Sequence, residues 1–193
     1  MKNFVRVFFI LILLFEAMGM AGVFHFASDF TWFGLMVTAG FAWSMIEVFH
    51  FSPFVWMLAL LAIILDAASA LLLLYSRIPP WDRYVHTWCG MLIAAAGIEL
   101  AIRMLEKEHI KVRNHAAFMA ASTFLIVAGV GFLYEFLEYL VDRFQYGYPK
   151  SLVSAYNSIE DQLFNLLGAA IALTAYFVLR RRKNMRGETD RDQ

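Results

Sequence analysis

The chain has 193 residues, 61% of them hydrophobic and 17% aromatic, with a mean hydropathy of +0.62. A soluble domain is usually about 45–50% apolar, and one small core cannot bury the excess at this size, so lipid is the natural solvent. Sixteen basic and 16 acidic residues cancel, which makes no case for nucleic acid, and none is expected as a partner; the lone Cys89 excludes an internal disulfide framework and a cysteine-rich metal site.

A hydrocarbon core about 30 Å thick needs about 20 mostly apolar residues per helix. Six stretches meet that need: 4–26, 31–50, 54–77, 83–105, 116–141 and 160–180. The first opens with Lys2 and Arg6 like a signal peptide. Its apolar run continues past Glu16 to Phe26 without an Ala-x-Ala site, so an uncleaved anchor is expected. Ser28 and Asp29 precede the second stretch, and Ser52-Pro53 opens the third. Pro79-Pro80 separates the third from the fourth, and a charged run over 106–114 separates the fourth from the fifth. Gly147 and Pro149 lie in the longest connection, 143–159. The expected fold is all-α, a polytopic transmembrane helical bundle of about six helices. It forms a single domain over 1–180, followed by a polar cytoplasmic tail, 181–193.

Orientation follows from where Lys and Arg fall. Lys2 and Arg6, then Arg103, Lys107, Lys111 and Arg113, then six basic residues after Phe177, share one side if every stretch crosses. Only Arg77, Arg83, Arg143 and Lys150 remain for the other. Both termini are therefore expected in the cytoplasm. Trp32 and Trp81 near the outer boundary, and Trp56 near the inner one, read as interfacial anchors. Small residues at 67–70, 94–97, 117–121 and 168–170 read as close helix packing.

Ionisable groups inside a membrane cost about 2.5–3.5 kcal/mol each at a helix centre, so each needs a reason. Three sets stand out. Asp82, Arg83 and His86 open the fourth stretch, with Asp82 and His86 one turn apart on one face. Asp82 also suits an N-cap, which leaves His86 unexplained. Tyr134, Glu135, Glu138 and Asp142 lie late in the fifth. Glu135 falls about 9 Å inside the helix end at 1.5 Å per residue. Two acids at three-residue spacing repel unless one is protonated or both meet a cation. Ser158, Glu160, Asp161, Asn165 and Gly168 open the sixth; Ser158 to Asp161 reads equally as a capping box. All three sets fall at one membrane level, away from the cytoplasm. A shared acidic pocket with a histidine, roofed by the 143–159 loop with Tyr146 and Tyr148, is the economical picture. Elsewhere, Glu99 and Arg103 can pair one turn apart. Glu47 and His50 sit near water, while Glu16 and Asp66 lie at mid-depth, where they contact each other, face the bundle interior or mark a proton path.

In order, Asp82-Arg83-x-x-His86, Glu135-x-x-Glu138 and Asp161-x-x-x-Asn165-x-x-Gly168 resemble motifs of the VanZ-like and YjdF-like families of small bacterial membrane proteins. The resemblance covers roughly 80–180 and leaves the first three stretches unassigned. Glu138 stands where a VanZ-like protein usually has Gln, and the 143–159 loop lacks a Thr-Gln-Gly-Asp stretch associated with YjdF-like proteins. The resemblance implies a multi-pass protein of the bacterial cytoplasmic (inner) membrane with a link to the cell envelope. It supplies no reaction.

The reading favoured by these residues is an extracytoplasmic, metal-assisted enzyme acting on a lipid-linked or envelope substrate within the membrane lipids. Asp82, His86, Glu135, Glu138 and Asp161 are the candidate catalytic residues and the candidate ligands of a divalent cation. Arg83, Tyr134 and Asn165 are the candidate substrate-binding residues, with Arg83 meeting an anionic headgroup and Tyr134 orienting a carboxylate. Two other readings compete: a proton-coupled transporter using Glu16, Asp66 and Glu99, and a non-catalytic structural or sensor protein whose polar residues only lock helices together.

Overall fold

A computed structural model describes residues 2–25, 27, 29–78, 80–108, 115–141, 143 and 155–189. Among the described residues seven helices follow one another: α1 (Lys2–Met20), α2 (Asp29–Val48), α3 (Pro53–Leu71), the single turn α4 (Leu74–Arg77), α5 (Trp81–Lys107), α6 (Ala116–Val141) and α7 (Ala155–Thr189). The described residues contain no strand. The protein is an all-helical, polytopic membrane protein. Among the described residues five helical segments are long and apolar enough to cross a bilayer: Asn3–Met20, Pro53–Leu71, Trp81–Lys107, Ala116–Leu137 and Asn157–Arg181.

Local sequence explains the start of α3 and the turn after α1. Ser52 is extended and its Oγ accepts the Val55 N–H at 3.5 Å, while Pro53 takes the first helical position, where its missing N–H costs nothing. The first predicted stretch reached Phe26, but α1 stops at Met20, and Gly22 carries the turn at φ 76°. The third was expected unbroken to Arg77. Instead α3 ends at Leu71, and Leu73 sits in the left-handed region at φ 55° before α4 begins. No Gly or Pro marks that break. The sixth helix begins at Ala155, five residues before the expected start, and runs to Thr189.

The chain divides into two compact units, Met1–Val85 and His86–Gln193. The division falls inside α5, whose first turn is continuous helix with the rest. In the first unit α1 packs on α2 and α3. Arg6, near the start of α1, donates from Nε and one Nη to the two Glu47 oxygens near the end of α2, at 2.5 and 2.6 Å. Phe15, near the end of α1, meets Trp32, near the start of α2, at 5.4 Å between ring centroids. The two helices therefore run antiparallel over their whole length. The 20-residue α2 is not among these apolar spans.

The tryptophans correct an expectation. Trp32 and Trp56 are both 0% exposed, so neither is an interfacial anchor. Trp32 lies against Gly19, where any Cβ would strike its ring. Trp56 stacks edge-on with Phe9 at 5.6 Å and with Trp43 at 6.0 Å, under the Arg6 guanidinium. Gly19 leaves room for the Trp32 ring, while aromatic neighbours pack edge-on around Trp56. Trp81 donates from Nε1 to the Ser69 hydroxyl at 2.5 Å.

In the second unit, Ala94 of α5, Val127 of α6 and Ala169 of α7 form one buried cluster, and Ile98, Leu105, Met119 and Leu173 form another. Rising numbers on α5 and α7 match falling numbers on α6, so α5 and α7 run parallel with α6 antiparallel. The outward faces are apolar, as lipid requires. Leu125 on α6 is 73% exposed. Leu125→Arg is expected to raise the insertion free energy of the Ala116–Leu137 span by about 3 kcal/mol, seen as reduced insertion in glycosylation mapping, while Leu125→Phe stays silent. Equal insertion of the Arg variant would contradict a lipid-facing position.

Candidate functional site

Asp82 lies in the first turn of α5, where its charge opposes the positive end of the helix dipole. His86 follows one turn later on the same face. Asp161 lies in the second turn of α7 and is only 3% exposed. Its Oδ1 stands 3.6 Å from His86 Nε2, and its Oδ2 accepts from Asn157 Nδ2 at 2.8 Å. One ligand atom each from Asp82, His86 and Asp161 can be chosen so that all lie within 4.8 Å of one another. Because α7 starts at Ala155, Ser158 and Asp161 are interior helical positions and the capping-box reading of Asp161 falls.

The parallel α5 and α7 are held together here by glycine. A Cβ on Gly90 would overlap the Asn165 carbonyl, and one on Gly168 would overlap the Thr87 carbonyl. Backbone thus meets backbone one turn below His86 and Asp161, which brings those two side chains into reach. Asn165 is buried in that contact, one turn beyond Asp161.

The register of the Ala94, Val127 and Ala169 cluster places the third helix. Eight residues outward from each, about 12 Å at 1.5 Å per residue, come His86, Glu135 and Asp161. Glu135 is 7% exposed, and neither of its carboxyl oxygens has a hydrogen-bond partner among the described residues. Next to it, the Tyr134 ring meets His86 edge-on at 6.2 Å between centroids, with the rings at 77°. Gln162 on α7 lies against Gly131, and its Nε2, like Ser158 Oγ, is buried without a described hydrogen-bond partner.

Of the predicted site residues, the structure brings together Asp82, His86 and Asp161, puts Tyr134 on His86, and buries Glu135 and Asn165 at or just below that level. Arg83 is exposed beside Asp82. Glu138 is on α6 one turn beyond Glu135, but its side chain lies outside the described residues, as do Asp142, Tyr146 and Tyr148. Asn157 was missed by the sequence reading. Its spacing of four from Asp161 was the available signal.

The donor set suits a hard or borderline divalent cation. Oxygen ligands lie about 2.3–2.6 Å from Ca²⁺, so opposed ligands are separated by about 4.6–5.2 Å. The three chosen atoms all lie within 4.8 Å of one another, no farther apart than two opposed ligands of one such ion. Three protein ligands leave coordination positions for water or substrate, the arrangement catalytic sites use. A family model described as "Predicted membrane protein (DUF2238)" matches residues 1–182. No curated protein and no solved structure matches the chain.

Proposed function

The chain belongs to the DUF2238 family of predicted membrane proteins, and from that premise we propose a metal-assisted enzyme acting on an anionic, lipid-linked envelope substrate. The observation that carries the reading is the convergence of Asp82, His86 and Asp161 within 4.8 Å. The three motifs that resemble VanZ-like and YjdF-like proteins supply these residues and support a bacterial inner-membrane setting. With α2 as a sixth crossing, both termini lie in the cytoplasm and the site opens on the other side, in keeping with the distribution of Lys and Arg.

In this reading Asp82, His86 and Asp161 would hold a divalent cation, which would supply Lewis-acid polarisation of the substrate and a more acidic bound water. Asn157 fixes the rotamer of Asp161 through its hydrogen bond. Glu135, buried beside the site, moves the proton, and Glu138 is a second candidate for that work. Arg83 is exposed at the α5 start, where an anionic headgroup arrives. Tyr134 packs His86 in place while half its surface faces outward. Asn165 closes the floor.

The test uses detergent-purified protein, Mn²⁺ as the probe and phosphate release from lipid phosphate monoesters as the readout. Glu135→Gln is expected to keep one bound Mn²⁺ and to lose 10²–10⁴-fold in turnover, roughly the contribution of a general acid–base group. Wild-type protein that binds no Mn²⁺, or whose turnover is the same with Glu135→Gln, would overturn the assignment.

A further inference from the structure

The Met1–Val85 unit holds a second buried acid that the chemistry above does not use. Glu16 of α1 is 1% exposed, and neither of its oxygens has a hydrogen-bond partner among the described residues. An isolated buried carboxyl is costly in any medium that cannot solvate it. Asp66 of α3 acts electrostatically on Glu16, and the half-exposed Tyr75 of α4 hydrogen-bonds Asp66.

Helix packing sets their levels. Phe9 against Trp56 fixes α1 beside α3, and Arg6 reaches the same ring. Glu16 comes seven residues after Phe9 and Asp66 ten after Trp56. The two are thus offset in height by about 4.5 Å at 1.5 Å per residue. Asp66 lies about 7.5 Å, at 1.5 Å per residue, before Leu71, where α3 stops, and Leu73 then turns left-handed at φ 55°. The last carbonyls of a helix lack intrahelical donors and carry the negative end of its dipole. Interrupted membrane helices hold cations with such ends.

We propose that Glu16, Asp66 and Tyr75, at the interrupted end of α3, form an intramembrane site for a hard divalent cation such as Ca²⁺ or Mg²⁺. All donors are oxygens, which suits that class. The two carboxylates match its charge, so the loaded site is electrically neutral in a medium hostile to net charge. This site is separate from the histidine-containing one and does not depend on it.

Dicyclohexylcarbodiimide tests it. The reagent enters apolar protein and adds to a protonated carboxyl: the acid proton moves to a carbodiimide nitrogen, the carboxylate oxygen bonds the central carbon, and the acyl group migrates to nitrogen, with no atom lost. The experiment uses full-length Asp161→Asn protein in vesicles, so that the other site is disabled, and reads the adduct by mass spectrometry. Expected is labelling of Glu16 after chelation, suppressed at least tenfold by Ca²⁺ or Mg²⁺ and untouched by K⁺. Suppression should vanish in Asp66→Asn and weaken in Tyr75→Phe, each checked for wild-type thermal unfolding. Should Asp66→Asn fail that check, Tyr75→Phe alone decides. Absent labelling, labelling that no divalent cation suppresses, or suppression that survives both substitutions would overturn the proposal.

Discussion

Asp161→Asn is expected to weaken Mn²⁺ binding by at least about 100-fold, close to 2.8 kcal/mol at 1.4 kcal/mol per tenfold. Asparagine keeps the volume of the buried side chain and an oxygen that can still accept from Asn157, 2.8 Å away in the wild type. What it removes is the charge facing His86. Asn157→Ala leaves that charge and only frees the carboxylate to rotate. It should cost about 10–100-fold, as removal of an outer-shell partner does. Isothermal calorimetry in lipid nanodiscs measures both. A purely structural polar lock predicts otherwise: interhelical hydrogen bonds in membranes average about 0.6 kcal/mol, so Asp161→Asn would shift thermal unfolding slightly and leave nothing to titrate. Equal Mn²⁺ affinity in wild type and variant would sink the metal reading and favour the lock.

The sequence carried the helices well because lipid imposes one dominant rule, an apolar run of sufficient length. It made the candidate site residues conspicuous because charges are so costly in lipid that each one stands out. Asp82, His86 and Asp161 were all visible as exceptions to that rule. Failures came where the deciding contact is tertiary. Trp32 and Trp56 look like interfacial residues until Gly19 is seen to make room for the first and the Phe9 ring to cover the second. Ser158 and Asp161 look like a capping box because an N-terminal cap and an interior turn share residue types. The break at Leu73 carries no Gly or Pro, so nothing local announces it. Gly90 passed unremarked, since a glycine in a membrane helix has a role only once its neighbour is known. Its neighbour, the Asn165 carbonyl, is 75 positions away in the chain.

That glycine contact carries the second large effect. Gly90→Val is expected to lower stability by about 3 kcal/mol, the upper part of the usual overpacking range. A side chain can rotate away from an intruding methyl group, but the Asn165 carbonyl belongs to the rigid backbone of α7. The only relief is to move α7 away from α5. His86 and Asp161 ride one turn further out on those two helices and already stand 3.6 Å apart. Separating the helices pulls the pair apart, so Mn²⁺ affinity should fall together with the unfolding temperature. Gly168→Val, overlapping the Thr87 carbonyl from the other side, should do the same. Gly129 supplies the control. A Cβ there meets nothing within 4 Å, and Gly129→Val should leave both measurements unchanged. If Gly90→Val unfolds earlier yet binds Mn²⁺ as tightly as wild type, the cation is held by residues other than the α5–α7 pair. If it does neither, the two backbones do not meet at this glycine.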